Sequence, residues 1–471
     1  MIRLCLISGI LLFSCLGARP ANATRLSGTA TGAEGKVIRV QRFDDLISFR
    51  RILADADTIG PDGTFDLEFF LPSTAYVRLS IDYHSNEILL EPGQSYSLRI
   101  TDSARDLNGP GRNPFLDPPL LEYAVTDASK HPLMAAMDTL NQRYDAEVLR
   151  MFRKLSGPGR TMPSDSLRER FGAGLDISDP FLALSIRYRI GTLDDMLRSA
   201  GRAELFIRYF AGQPILYQHP DYMEFFNSFF SRYLTHVSRK IPLGELAYRV
   251  NEEKSYASVL DLLGRDSLLR SEPIRELVLL RNLREMFYTP EFVPEAVIDI
   301  LNQLKRTTRI PEHRRIAENL SYRLLQMREG NHPPALTFLT PSGDSLNVAE
   351  LRGKYVYLQF WTSDCGVCAA DMTAMDALHE RFSADVAFIG VSMDLEPAVF
   401  QSFLKTQGHA WPLVYSGGDM ELIDALNIRS FPTYLLLDRE GKVLSYPARG
   451  PADQTDVAFR RLLATERTPG Q

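Results

Sequence analysis

From residue 24 to about 126, apolar and polar residues alternate with period two, interrupted at short intervals by glycine and proline. Residues 36–40, 63–69, 75–81 and 95–100 each set apolar side chains on one face and polar ones on the other, the pattern of half-buried strands. Turns at Gly60-Pro61-Asp62-Gly63 and Glu91-Pro92-Gly93-Gln94 reverse the chain, so a small β-sandwich is predicted. A proline- and glycine-rich passage over 108–119 then gives way to steps of three and four. Met134, Met137, Leu140, Tyr144, Val148, Met151 and Leu155 share one helical face. Tyr222, Phe225, Phe226, Phe229, Phe230, Tyr233, Leu234 and Val237 repeat the pattern over 219–241, and at this spacing an aromatic stripe reads as core rather than as a ligand groove. Further helical stretches fall near 181–210, 273–288, 294–306 and 312–328, which predicts one all-helical domain over 127–330.

From 331 onward strands and helices alternate, as in an α/β unit. Residues 355–361 form an apolar run suited to a central strand covered on both faces. Directly after it come Thr362-Ser363-Asp364-Cys365-Gly366-Val367-Cys368 and a helix-compatible stretch over 369–382. A second buried strand is predicted at 386–391 and a helix at 397–407. Phe431-Pro432-Thr433 leads into a last apolar run at 434–437, closed by the turn Arg439-Glu440-Gly441-Lys442. The predicted organisation is multidomain: a leader over 1–23, a β-sandwich over 24–126, an all-helical domain over 127–330 and an α/β domain over 331–471.

The leader joins Arg3, an apolar run over 4–16 and an Ala21-Asn22-Ala23 ending, the parts of a secretory signal peptide cleaved after Ala23. Its apolar run is too short for a permanent bilayer-spanning helix. A competing reading takes Leu12-Phe13-Ser14-Cys15 as a bacterial lipobox, with Cys15 kept as a lipid anchor. No later apolar stretch approaches the length of a span, so the body is expected to be soluble and to reside in the periplasm or cell envelope. With 45% hydrophobic residues, disordered and fibrous architectures are excluded. The 53 basic and 59 acidic residues are interspersed, leaving no footprint for nucleic acid.

Two of the four cysteines, Cys5 and Cys15, belong to the leader, so the body holds only Cys365 and Cys368 and is not a disulfide-stapled scaffold. His131, His219, His236 and His313 are scattered without metal-ligand spacing, and neither metal nor cofactor is expected. A C-x-x-C at a strand-to-helix junction has a physical use. The first cysteine lies by the helix N-terminus, whose unpaired N–H groups and dipole favour thiolate. Cys365 is thus the candidate nucleophile for disulfide exchange, and Cys368, one turn on, the resolving thiol. Zinc binding, which lacks two further ligands, and a purely structural disulfide are the other readings of the pair. Pro432 enters an apolar strand, where proline removes a ladder donor; it is either a plain turn residue or a cis proline exposing the Phe431 backbone beside the cysteines.

A strand ending Phe360-Trp361, the C-x-x-C, and about 64 residues later Phe431-Pro432-Thr433 before a strand and Gly441-Lys442 hairpin together resemble the thioredoxin superfamily. The Leu351-Arg352-Gly353-Lys354 step and the run Ala369-Ala370-Asp371-Met372 look most like its exported TlpA and ResA type branch, over roughly 333–465. The β segment, through Asp62-Gly63-x-Phe65 and Leu90-Glu91-Pro92-Gly93, resembles domains that precede such modules in exported bacterial proteins. The resemblance implies a sheet flanked by helices, a Cys365–Cys368 pair cycling between dithiol and disulfide, a cis Pro432 against the sulfurs, and substrate contacts from Phe431, Pro432 and Trp361. Departures are Asp364 before the first cysteine, Gly366-Val367 between the two, Thr373 at a usual proline, and Gln359 where relatives place a buried acid, with Glu396 as a substitute acid.

The function this implies is thiol-disulfide exchange with exported proteins, in the reducing direction, with an upstream reductant restoring the dithiol. Two other classes stand beside it. A peroxiredoxin-like peroxidase would want an activating motif whose first position, seven before Cys365, is Leu358 here. A partner-binding module would use the first two domains for capture and leave the redox domain vestigial.

Overall fold

A computed structural model describes residues 23–81, 84–101, 120–155, 164–394, 397–406, 408–416, 420–426, 428 and 430–466. The leader with Cys5 and Cys15, the passage 108–119 and Glu396 lie outside the described residues; only Ala23 of the leader is inside.

The first strands are β1 (Ala23–Thr29), β2 (Val37–Phe43), β3 (Arg51–Thr58), β4 (Thr64–Phe70), β5 (Ala75–Ile81), β6 (His84–Leu90), β7 (Ser95–Ile100) and β8 (Tyr123–Val125). They form two four-stranded sheets, ordered β4-β1-β7-β8 and β3-β2-β5-β6. Between the sheets sit Leu26, Val40, Leu67, Val77, Leu79 and Leu98, all essentially buried. The alternating burial of β4 matches its alternating sequence. By contrast, β3 has no fully buried residue and occupies a sheet edge, which is why period-two hydrophobicity does not mark it.

The central helices are α1 (Pro132–Leu155), α2 (Ser164–Gly172), α3 (Pro180–Met196), α4 (Arg202–Tyr209), α5 (Pro220–Phe229), α6 (Leu243–Asn251), α7 (Tyr256–Leu263), α8 (Glu272–Met286), α9 (Pro294–Thr307) and α10 (Pro311–Leu325). Proline stands in the first turn of α3, α5, α8, α9 and α10, where its missing N–H has no helical partner to lose. The aromatic stripe is buried, with Phe210 stacked on Phe225 at 5.0 Å.

The single helix expected over 219–241 is broken. Arg232 adopts a left-handed φ of 49°, and a π-helical turn follows at Tyr233–Val237. Side chains of α8 satisfy the interrupted backbone: Glu285 accepts the Arg232 N–H at 2.8 Å, and Asn282 accepts from Leu234 and donates to the Phe230 carbonyl. The stretch 181–210 likewise divides into α3 and α4, with Arg198 left-handed between them.

The β2–β3 connection fastens the sandwich to the helices. Ile47 is buried in the helical core, and the side chain of Asn227 donates to the Leu46 carbonyl at 2.7 Å. Asn319 on α10 donates to Asp44 and Asp45, both at 2.7 Å, and accepts from Arg50 at 2.9 Å.

The last region contains β9 (Thr337–Leu339), β10 (Ser345–Asn347), β11 (Tyr355–Trp361), α11 (Gly366–Phe382), β12 (Val386–Ser392), α12 (Pro397–Thr406), β13 (Leu413–Tyr415), α13 (Met420–Leu426), β14 (Thr433–Leu437), β15 (Val443–Ser445) and α14 (Thr455–Glu466). Its sheet runs β10-β9-β13-β12-β11-β14-β15, with β11, β12 and β13 parallel and β14 antiparallel to β11. Every residue of β11 is buried. Val356, Leu358 and Phe360 pack on one face with α13; Tyr355, Tyr357 and Trp361 pack on the other with α11, α12 and α14. This is a thioredoxin-like domain behind a β-sandwich and a helical domain. Among the described residues no helix is long and apolar enough to cross a membrane.

Candidate active site

The chain leaves β11 at Trp361, makes one turn through 362–364, and enters α11 with Cys365 as its cap. The Cys365 sulfur accepts the N–H of Cys368 at 3.1 Å, so the sulfur sits where the free N–H groups of the first helical turn converge. That location stabilises a thiolate through the same donors and through the helix dipole. The two cysteines are joined as a disulfide, their Cα atoms 5.2 Å apart. They differ in access: Cys368 is 0% exposed, whereas Cys365 is half-buried. Val367 between them is 65% exposed and offers an apolar lip beside the accessible sulfur.

The turn before Cys365 is held by the two residues that follow β12. The Met393 N–H donates to the Trp361 carbonyl at 2.7 Å, and the buried Asp394 carboxylate accepts from the Ser363 N–H at 2.7 Å and the Ser363 hydroxyl at 2.6 Å. Burial lifts the Asp394 carboxyl above its ordinary value; the serine hydrogen bonds oppose this, and the Asp364 charge adds to it.

Behind the pair, Gln359 of β11 stands opposite Tyr434 of β14 in the ladder. Its amide donates to the Cys368 carbonyl at 3.2 Å and to the Tyr434 hydroxyl at 3.3 Å. The Tyr434 hydroxyl in turn donates to Asp371, one helical turn beyond Cys368. Burial, followed by the adjacent Asp371, drives the Tyr434 phenol well above its ordinary range, so it remains a neutral donor. A carboxylate is therefore linked to the cysteine turn through two neutral side chains, with Gln359 occupying the position of the expected buried acid.

The predicted substrate contacts fall in different layers. Cys365 and Phe431 both pack at the margin of the core cluster that contains Trp361, Cys368 and Tyr434. Phe431 and Pro432 are half-buried, and the peptide bond between them is cis. Trp361 departs from the expectation: it is 1% exposed, its ring against Phe400 and Phe403, and it presents no side-chain surface to a docking polypeptide. The sequence reading missed Asp371, Tyr434 and Asp394. The position of Asp371 one turn after Cys368 was a usable signal; the other two are joined to the motif only by strand pairing.

A sheet with a parallel core, a cysteine pair at the start of the helix that follows its central strand, and a cis proline entering the antiparallel strand beside it define a thioredoxin-like redox domain. The family described as Redoxin matches residues 328–458. The thiol-disulfide oxidoreductase ResA of Halalkalibacterium halodurans is 30% identical over 125 residues, which are 26% of this chain and 70% of that protein. The ResA of Bacillus subtilis is 28% identical over 117 residues, 25% of this chain and 65% of that protein. The thioredoxin domain of a thiol-disulfide oxidoreductase from Bacteroides vulgatus has 25% identity and a TM-score of 0.27, covering 28% of this chain and 97% of that one. Through its C-terminal region the chain belongs to the ResA-like thiol-disulfide oxidoreductases of the thioredoxin superfamily.

Proposed function

We propose that the protein works in the cell envelope, exported by the leader at 1–23 or tethered there through Cys15, and reduces disulfides of other exported proteins. In the dithiol form the Cys365 thiolate attacks one sulfur of the substrate disulfide, making a mixed disulfide and releasing the substrate's other sulfur as a thiolate, which takes a proton. The Cys368 thiolate then attacks the Cys365 sulfur. The mixed bond breaks, the Cys365–Cys368 disulfide forms, and the second substrate thiol leaves, so two electrons have passed to the substrate. An upstream dithiol reductant returns the pair to its starting state. Phe431 and Pro432, with Phe431 packed at the margin of the same core cluster as Cys365, are in this reading the groups against which the substrate backbone lies.

One observation carries this reading: the accessible Cys365 sulfur caps α11 while its partner is buried beneath it, the asymmetry that attack followed by resolution requires. The test is insulin-disulfide reduction by the purified protein. Cys365→Ser is expected to abolish it, and undiminished activity in that variant would overturn the reading. Cys368→Ser, expressed in the host, is expected to hold partners as mixed disulfides that dithiothreitol releases.

A further inference from the structure

Where the sandwich meets the helices, the two enclose a largely apolar cleft of about 310 Å³, a size and a place typical of small-molecule sites. One wall is sandwich, with Phe43, Leu46, Phe49, Leu71 and Ala75; the other is α5, with Met223. Phe43 and Phe49 stand edge to face, their ring centroids 5.8 Å apart. Phe49 has a left-handed φ of 55°, which a bulky residue keeps only where its surroundings impose it. Arg323 of α10 holds it there, donating to the carbonyls of Ser48 at 2.6 Å and Phe49 at 3.0 Å. The aromatic wall is therefore set in advance of any occupant.

Two polar side chains lining the cleft are incomplete. Asn227 of α5 is 9% exposed, and its amide donates to the Leu46 carbonyl at 2.7 Å. That bond fixes the amide's orientation and leaves Oδ1 with no hydrogen-bond partner among the described residues. The Ser73 hydroxyl, on the sandwich side, is likewise buried and unpartnered. Buried acceptors are nearly always satisfied, so an unused one lining an apolar cleft calls for a donor from outside the chain. Charge does not select the occupant. Arg42 lies 4.0 Å from Asp44, and Glu87 stands opposite Arg78 in the β5–β6 register. Desolvation and the neighbouring Asp221 hold the Glu224 carboxyl above its ordinary value, a setting hostile to an anion, while Arg189, bonded to Asp221 at 2.7 Å, attracts Glu224 as well. We propose that this cleft binds a small uncharged aromatic molecule carrying one hydrogen-bond donor, its ring against Phe43 and Phe49 and its donor on Asn227 Oδ1. Every wall residue precedes 328–458, the region matched by the Redoxin family, so the site belongs to the first two domains and does not depend on the exchange reaction.

The test uses the full oxidised chain and four probes that share one ring system: indole, 1-methylindole without the N–H, indole-3-acetate with a negative charge and tryptamine with a positive one. In calorimetric titrations indole is expected to fill one site with a Kd below about 1 mM. 1-Methylindole, which cannot meet Asn227 Oδ1, should bind at least about fivefold more weakly, and neither charged probe should bind more tightly than indole. Ala75→Leu, which fills the cleft, should abolish indole binding, with an unchanged circular-dichroism spectrum as evidence of folding. Asn227→Ala should lower the affinity for indole to that for 1-methylindole; because it also removes the bond to Leu46, the comparison of the two probes on the native protein asks the same question without a variant. Absence of saturable indole binding, equal affinity for indole and 1-methylindole, a charged probe that binds more tightly, or binding that survives Ala75→Leu would overturn the proposal. Cys365→Ser should bind indole as the native protein does, so failure of the exchange reaction would leave this site standing.

Discussion

The Tyr434 hydroxyl donates to the Asp371 carboxylate while accepting from the Gln359 amide, which also holds the Cys368 carbonyl. Tyr434→Phe takes the donor from Asp371 and one acceptor from a buried amide. About 1–2 kcal/mol of stability should be lost, measured by urea unfolding of the oxidised protein. Asp371 is the charged acceptor that ends this network, so Asp371→Asn should slow insulin reduction at a fixed pH. An unchanged rate would assign the network to packing alone.

Asp394 makes stability depend on pH in a direction that can be worked out. Its folded-state pKa is raised above 3.8, chiefly by burial, so the native protein holds this proton more tightly than the unfolded chain. Over the interval from the unfolded value to the raised one, this group's contribution to stability falls as pH rises. Asparagine keeps an acceptor for the Ser363 N–H and cannot ionise. The stability of Asp394→Asn relative to native should therefore improve as pH rises from about 4 and level off above the native pKa. A difference that stays constant across that range would contradict the assignment.

The parts of the site that could be read in the sequence are those written locally. Cys365, Cys368 and the helix they open lie within one short segment, and Phe431-Pro432 announces itself because a proline at a strand entrance demands a reason. Asp371 and Tyr434 are 63 positions apart and meet only because β14 pairs with β11 in one particular register. The same distinction holds in the fold. Strands of the sandwich with one buried face alternate legibly, whereas β3, exposed at its edge, does not. The break after α5 is invisible to periodicity because the apolar face continues through it; the groups that permit it, Asn282 and Glu285, come from α8.

Two glycines separate close packing that can adjust from packing that cannot. A Cβ on Gly390 would lie 2.6 Å from Leu413 Cδ2 and 2.7 Å from Trp411 Cζ3, both side-chain rather than backbone atoms. Gly390→Ala should cost about 1–3 kcal/mol while leaving a folded protein. At Gly28 the added carbon would sit 2.1 Å from the Leu98 carbonyl oxygen, across the β1–β7 pairing. There the obstacle is backbone, so Gly28→Ala should be the more damaging of the two, read as the larger drop in urea midpoint or in soluble yield. The reverse order would mean that the β1–β7 pair is looser than its register indicates.

Asn319 tests whether the sandwich and the helices fold as one unit. Its side chain is 2% exposed and bridges Asp44, Asp45 and Arg50, while the neighbouring Arg323 grips the carbonyls of Ser48 and Phe49. Asp45 is itself buried and already accepts from the Ile47 and Ser48 N–H groups, and Asn319 supplies a further donor from the helical side. Asn319→Ala deletes two hydrogen bonds to carboxylates in a buried place, with an expected loss of about 2–4 kcal/mol. Asn319→Asp conserves the volume but sets a third carboxylate against two, and should be worse than alanine although it is the closer isostere. Calorimetry of the oxidised protein separates this from a generic packing defect. Losing the bridge should move the melting of the sandwich away from that of the helices, splitting one transition into two. If both variants melt within about 0.5 kcal/mol of native in a single transition, the coupling is carried by the Ile47 plug rather than by the polar bridge.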